Sequence, residues 1–388
     1  MGMGTARLSD DACSIDDFVE LVEQGAASTT IDQYRFAERI DHGAVVYSAA
    51  TLRALPDDPS THRDVLDELS RVFLSGPGIV VIAGAVDAEV VDAASEQFFD
   101  IIESERTAGG PSGDHFAPAG ANDRVWNALQ KLAERSPEVF VDYYANDMLA
   151  TVCEAWLGPG YQITSQINVV NPGGQAQSPH RDYHLGFMSV DEAARYPAHV
   201  HRLSPLMTLQ GAIAHCDMPI ETGPTMYLPH SQKYELGYLA WWLDDFKEYF
   251  ADHHVQVPLS SGDAVFFNPA LFHGAGTNRT SDVRRIANLL QVGTTMGRTL
   301  EAVDRRAMVR HLYPVWLERL GAGADRTAID RSVAASAEAY YAPLDLDRSQ
   351  PVDGLHPPGD ADLVRTALDE RWPIDRLLDR LGDTATVR

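Results

Sequence analysis

The sequence predicts a mainly β protein flanked by helices, with a sandwich or barrel spanning Tyr161 to about Gly293. Three observations carry this. Short strands separated by Gly, Pro, Asn and Asp turns fill the central stretch. Apolar residues at helical spacing recur before and after it. Two of the strands also alternate: Gln162, Thr164, Gln166 and Asn168 share one parity against Tyr161, Ile163, Ser165, Ile167 and Val169, and Thr208 and Gln210 stand beside Leu209 and Ile213. Alternate residues project to opposite sides, so these strands have one polar and one apolar face. A half-solvated sheet fits that pattern, and so does a barrel whose inner wall lines a wet pocket.

Residues 1–65 are acidic and polar, with a helix over Ile15 to Gln24, and read as an extension packed on the central domain. GIVVI from Gly78 is a short buried strand. Asp87 then caps a helix whose Val90, Val91, Ala94, Phe98, Ile101 and Ile102 form one face. The Gly- and Pro-dense run from Ala108 to Asp123 is a loop, and Val125 to Trp156 is helical. After the strand region, helices are expected at Ala302 to Leu320, Ala328 to Tyr341 and Ala361 to Leu381, with a Pro-rich bridge at Gln350 to Gly359. Arg305, Arg306 and Arg310 form the densest basic group, read as a helix surface. The expected division is an N-terminal extension (1–65), a central domain (66–300) and a C-terminal helical extension (301–388).

Charge and composition remove whole classes of function. The chain carries 56 Asp plus Glu against 31 Lys plus Arg, a net charge of −25, with only three lysines and no long basic run. Nucleic acids and anionic membranes require a concentrated basic footprint, so neither is an expected partner. Cys13, Cys153 and Cys216 lie far apart and outside any C-x-x-C spacing, which supports neither a disulfide framework nor a cysteine zinc site. One of the longest uncharged apolar runs, Gly78 to Val86, falls far short of a membrane span, and the first residues lack the apolar stretch of a signal peptide. The expectation is a soluble, cytoplasmic protein acting on a small molecule, with no feature that fixes an oligomeric state.

The chemistry-bearing residues lie in two places. SPHRDYHLGF holds His180 and Asp182 two residues apart, so on a strand an imidazole and a carboxylate would share one face. His273 comes 93 residues after His180, and Arg284 lies 11 residues beyond His273. Two histidines and one carboxylate form the facial triad that holds non-haem Fe(II) and leaves coordination positions open. The same set in a cupin-like barrel could hold Zn²⁺ for a hydrolytic or non-catalytic role.

Taken in order, INVVNPG with PHRD (Ile167 to Asp182), ETGPTMYLPHS (Glu221 to Ser231), SGDAVFFNPALFHGAGTN (Ser261 to Asn278) and Arg284 resemble the phytanoyl-CoA dioxygenase (PhyH) family of Fe(II)- and 2-oxoglutarate-dependent oxygenases. The resemblance covers roughly Ser70 to Gly293, with GIVVIAGAVDAEVV similar to the family's opening strand and helix. It implies a double-stranded β-helix, the cupin-like jelly roll, and favours the wet-pocket reading of the polar strands. It also implies His180, Asp182 and His273 as iron ligands at the catalytic centre, and Arg284 as the partner of the distal carboxylate of 2-oxoglutarate, since a guanidinium fork makes two parallel charge-assisted bonds to a carboxylate. Asn168 and Thr208 are assigned beside the cosubstrate. Gln166, Gln210, Tyr183 and His184 are assigned to the pocket wall. His184 shares the strand parity of Asp182, but the open metal positions must stay free for cosubstrate and O2, which keeps it out of the ligand set. Arg285, of opposite parity to Arg284, is expected to point outward. Glu221-Thr222 departs from the family's usual Asn before Gly-Pro. Asp182 occupies the place that is Gly or Ala in related halogenases, so hydroxylation of an unactivated C–H bond, with release of succinate and CO2, is the expected reaction. A specialised metabolite or amino-acid derivative fits the composition better than an acyl-CoA, whose charge calls for a basic rim.

Overall fold

The computed structural model describes residues 7–108, 121–341, 347, 350 and 354–385. The N-terminal part forms α1 (Ile15–Ser28), β1 (Arg39–Asp41), β2 (Ala44–Ser48), α2 (Ala49–Arg53) and α3 (Pro59–Leu74). Next come β3 (Ile79–Ala83), α4 (Ala88–Thr107), β4 (Asn122–Val125), α5 (Ala128–Arg135), α6 (Pro137–Tyr144) and α7 (Asp147–Leu157). The central part comprises β5 (Gln162–Val170), α8 (Val190–Ala194), α9 (Ala198–Leu203), β6 (Thr208–Ala214), β7 (Met226–Leu228), α10 (Gly237–Ala240) and α11 (Asp244–His253). It continues through β8 (Val255–Gln256), β9 (Ala264–Phe267), β10 (Phe272–Gly274) and β11 (Arg285–Gly293), and the tail forms α12 (Arg305–Gly321), α13 (Arg326–Ser336), α14 (Asp360–Glu370) and α15 (Ile374–Ala385).

Eight strands build a large sheet in the order β1-β2-β3-β9-β6-β11-β5-β4, and three build a smaller one in the order β10-β7-β8. Among the described residues only the β2–β3 pair is parallel. Two sheets with a long, crossing strand order are the jelly-roll arrangement of a double-stranded β-helix, here open rather than a closed barrel. Strand parity separates two cores. Ile163, Ile167 and Val169 of β5, Leu209 and Ile213 of β6, and Ile286, Leu290 and Val292 of β11 face the helices in one large apolar cluster. The opposite parity, with Ala214, Val265, Phe267 and Ala287, faces the small sheet together with Tyr227 and Leu271. A third cluster covers the outer side of the small sheet, where Phe18 of α1 meets Phe246 and Phe250 of α11 and Phe272 of β10.

Local chemistry explains the element ends. The Asp58 carboxylate accepts the Ser60 and Thr61 N–H groups ahead of α3, with Pro59 at the first helical position where no N–H is needed. Asp87 occupies the N-cap of α4, as its sequence suggests. The C-terminal helix read as one element breaks into α14 and α15, because Arg371 adopts φ 51° and Pro373 cannot continue a helix.

Several elements differ from the sequence expectation. Residues 39–48 hold two strands that extend the large sheet, although the first 65 residues show no strand pattern. Asn122 and Asp123 belong to β4 rather than a loop, while 109–120 of that expected loop lie outside the described residues. Helices α8 to α11 interrupt the strand region. Arg305 is half-buried rather than fully exposed: its guanidinium donates to the carbonyls of Ile163 (3.0 Å) and Ala335 (3.2 Å), tying α12 to β5 and α13.

A buried polar network joins the large sheet to its helices. His215 meets the Tyr143 phenol through Nε2 and Ser95 Oγ through Nδ1, both at 2.7 Å. Asn288 donates to the phenol oxygens of Tyr143 (3.2 Å) and Tyr144 (3.3 Å). Burial holds the His215 imidazole down at about 3, against 6.5 for an ordinary histidine. Acid therefore protonates the unfolded chain before the folded one. The stability carried by neutral His215 is complete above about pH 6.5 and is lost progressively as pH falls toward 3, by roughly 1.4 kcal/mol per pH unit. Urea unfolding should show a shallower acid loss in His215→Gln than in the native protein between pH 7 and 4.5. An unchanged slope would remove His215 as a source of acid sensitivity.

Candidate active site

The site forms where the chain segment 178–182 runs beside β10. His180 and His273 exchange both backbone hydrogen bonds, N–H to O at 2.9 and 3.1 Å, as an isolated antiparallel pair. The His-x-Asp segment is thus an extended strip on the edge of the small sheet rather than a named strand. The alternation argument still holds over three residues: His180 and Asp182 face the interior, while Arg181 between them is buried on the other side. Its guanidinium donates to the carbonyls of Ser231 (2.6 Å) and Tyr234 (3.0 Å) and lies over the rings of Tyr238 and Phe272. Gly237 permits that placement, since a Cβ there would meet Arg181 Cζ at 1.9 Å.

The three predicted ligands converge. One ligand atom from each of His180, Asp182 and His273 lies within 4.8 Å of the others, a set that could hold a metal ion. His180 Nε2 stands 3.7 Å from Asp182 Oδ1, and His273 Nε2 stands 3.5 Å from Asp182 Oδ2. Each Nδ1 faces a backbone carbonyl, that of Ser178 at 3.0 Å for His180 and of Leu271 at 2.9 Å for His273. A carbonyl only accepts, so Nδ1 carries the proton and the Nε2 lone pair is left for a metal. Burial, and then the neighbouring His273, push His180 below its ordinary value, which favours the neutral ring that coordination needs. Burial alone would raise the Asp182 carboxyl, but the charges of the two histidines and the Gln210 amide hold it at about 2. The carboxylate is ionised at neutral pH, as a metal ligand has to be.

Gln210, assigned to the pocket wall, has a more specific position: its side-chain amide donates directly to Asp182 Oδ2. Partners of this kind orient a metal's ligands. Gln210→Ala should therefore weaken Fe(II) binding by about 10–100-fold while all three ligands remain. A metal titration of the two proteins measures this directly, and equal affinities would dismiss the role.

The two arginines are reversed relative to the sequence reading. Arg284 precedes β11 and its side chain is 47% exposed, bound to Asp123 at 3.0 Å and Asn171 at 3.3 Å and stacked over Phe99. Arg285 is 6% exposed and opens β11 on the parity of Ala287 and Leu289, the inner face that also carries Gln291 and, across the register, Gln210. The cause is the turn before the strand. Asn278 donates to the Val283 carbonyl at 2.8 Å and accepts from Thr280, and the strand begins at Arg285. Burial lowers Arg285 to about 10, and one guanidinium nitrogen, Nη1, is buried without a hydrogen-bond partner among the described residues. Ala214 and Ala287 leave space on the same face, bounded by Phe267 and Tyr227, whose β-bridge partner is His273.

The remaining predicted residues divide between the two ends of that face. Asn168 is inner-facing, opposite Ala287, and its Oδ1 accepts from Asn122 at 3.3 Å. Thr208 does not join it: the register places Thr208 opposite Gly293, at the other end of β11 from Arg285. Gln166 is buried and donates to Gln291 at 3.3 Å. Tyr183 is buried, whereas His184 is exposed and its expected parity with Asp182 fails, because φ values of 65° at Tyr183 and 45° at His184 turn the chain out of the extended strip. Glu301, which no sequence pattern marks, lies near this end and accepts the Asn127 N–H at 3.0 Å.

A jelly roll with an inward His-x-Asp…His set and a buried guanidinium on the facing sheet defines a non-haem metal oxygenase class of site. The phytanoyl-CoA dioxygenase (PhyH) family model matches residues 75–286, more than half of the chain, and the chain belongs to that family of Fe(II)- and 2-oxoglutarate-dependent oxygenases. Among curated proteins it is 31% identical over 235 residues to dioxygenase trt7 of Aspergillus terreus (strain NIH 2624 / FGSC A1156), covering 58% of this chain and 72% of the relative. It is 25% identical over 222 residues to dioxygenase cdmD of Talaromyces verruculosus, covering 54% and 68%. Among solved structures it is similar to the non-heme α-ketoglutarate-dependent carbocyclase SnoK from nogalamycin biosynthesis, with TM-score 0.42 and 20% identity over 63% of this chain and 86% of that one. HygX from Streptomyces hygroscopicus, solved with nickel, 2-oxoglutarate and hygromycin B bound, gives TM-score 0.42 and 17% identity over 60% and 89%. Among the described residues no helix is long and apolar enough to cross a membrane.

Proposed function

We propose that the protein hydroxylates an unactivated C–H bond of a small molecule, using Fe(II) held by His180, Asp182 and His273 together with 2-oxoglutarate and O2. The observation that carries this reading is Arg285, a buried cation with an unpartnered nitrogen on the wall facing the ligand set. A hydrolytic or storage barrel gains nothing from a buried, uncompensated guanidinium, whereas a dicarboxylate cosubstrate supplies the missing partner. Iron and 2-oxoglutarate, when bound, supply the oxidising power that removes hydrogen from a C–H bond as the cosubstrate becomes succinate and CO2. The chain's own residues do the positioning. Arg285, in place of Arg284, receives the distal carboxylate. Ala214 and Ala287 give it room, Asn168 stands beside it, and Gln210 fixes the Asp182 carboxylate on the metal side. Phe267, packed 4.8 Å from the His273 ring, keeps water from that ligand.

Anaerobic addition of Fe(II) and 2-oxoglutarate should develop the visible charge-transfer band of the chelate, and admission of O2 with substrate should release succinate. A protein that binds Fe(II) but gives no band would exclude the reading. The domain division into a core over 66–300 and two extensions is part of the proposal, with one change: the strands at 39–48 complete the core sheet.

A further inference from the structure

The inner face is chemically polar in two opposite senses. Its Arg285 end offers a cation. Its other end gathers acceptors that lack donors among the described residues. Gln166 is 2% exposed, and its Oε1 has no hydrogen-bond partner. Gln210 commits its amide to Asp182, which leaves its own Oε1 buried and unpartnered. Glu301, in the segment between β11 and α12, accepts the Asn127 N–H through Oε1, and its Oε2 is buried with no partner. The buried Tyr183 phenol is also unpartnered. The Gln166 side chain neighbours Glu301, which places these two acceptors together.

Each buried acceptor without a donor costs roughly 1–3 kcal/mol. These acceptors line one end of the face, and a ligand completes them by bringing N–H or O–H groups. Asp182 and Glu301 add two carboxylates to this end, and Arg124 and Lys131 partly offset the charge of Glu301. Outside them the surface changes character. Phe187, Leu203, Leu206 and Met296 are large apolar side chains exposed to solvent. They sit on segments joined around Tyr183 and His184: Ser204 Oγ lies 3.4 Å from His184 Nδ1, and Thr294 N–H donates to the Met207 carbonyl at 2.8 Å. Exposed apolar side chains rimming a polar pocket mark a binding surface.

We infer that the substrate is an amphipathic small molecule that presents hydroxyl or amine donors to Gln166, Gln210 and Glu301 while its apolar body rests on this rim, with Glu301 setting the preference for donors over anions. This deepens the oxygenase reading of the same site and rests on it.

Three probes sharing one apolar body test it: 1-adamantylmethylamine, 1-adamantanemethanol and 1-adamantanecarboxylate. Each is titrated calorimetrically into protein loaded anaerobically with Fe(II) and 2-oxoglutarate. The donor probes should bind about ten-fold or more tightly than the carboxylate, a difference of one charge-assisted contact. Glu301→Gln keeps an acceptor oxygen and loses the charge. If the amine is the recognised group, its affinity should fall about ten-fold in this variant. If the hydroxyl is recognised, its affinity should hold in Glu301→Gln and fall in Glu301→Ala. Equal binding of all three probes, preference for the carboxylate, no binding of any probe, or indifference to both variants would overturn the inference. The 2-oxoglutarate titration run alongside reports on the oxygenase reading separately, because it depends on Arg285 at the other end of the face.

Discussion

Arg285→Ala is expected to raise the 2-oxoglutarate concentration for half-maximal turnover by about 100–1000-fold, whereas Arg284→Ala should change it by less than about three-fold. The larger figure is the roughly 3–4 kcal/mol lost when one member of a buried, charge-assisted pair is removed and the other is left uncompensated. The smaller reflects a side chain 47% exposed whose partners, Asp123 and Asn171, lie outside the pocket. Arg285→Lys separates charge from shape: the ammonium keeps the charge but cannot make two parallel bonds, so an intermediate loss is expected. Measuring the cosubstrate KM in all three variants decides the matter. A strong effect at Arg284 with none at Arg285 would sink the placement.

Asp182→Ala is expected to abolish metal-dependent chemistry, with turnover reduced at least about 1000-fold, and to remove the stabilisation that metal gives the fold. A ligand bound to the native state alone stabilises it by RT ln(1 + [L]/Kd), about 2.7 kcal/mol at 100 times Kd. The native protein should accordingly melt several degrees higher with Fe(II) under anaerobic conditions, and Asp182→Ala should melt at the same temperature with and without it. The variant also strands the amide of Gln210, whose acceptor is that carboxylate. Asp182→Ala combined with Gln210→Ala should therefore lose less metal-free stability than the two single losses added together. Retention of the metal-induced shift in the single variant would place the ligands elsewhere.

The convergence of His180, Asp182 and His273 was legible in the sequence because the signal is short and local. His180 and Asp182 need only three extended residues to share a face, and one bridge brings His273 opposite. The polar parity of β5 was legible for the same reason. What failed was phase across a turn. The family resemblance put Arg284 inward, but β11 opens at Arg285 after the Asn278–Thr280–Val283 turn, and a single residue exchanges the two faces of a strand. The parity of His184 failed because two consecutive positive φ values end the strip immediately after Asp182. The strands at 39–48 escaped notice because Ala44 to Ser48 is a brief apolar run that gains meaning only through its parallel pairing with β3. Glu301 carries no local pattern at all. Its position depends on where the chain goes after β11.

The paired backbone bonds between His180 and His273 have a consequence for how the protein reaches its native state. The residues are 93 positions apart, so the ligand set does not exist until that long loop has closed and β10 has found its neighbour. Pairings of this separation form late and slowly in proteins dominated by non-local contacts. Coordination competence should therefore appear at the end of refolding. In a stopped-flow experiment started from urea, the appearance of a metal-bound signal should track the slowest phase of tertiary structure formation rather than the earlier gain of helix.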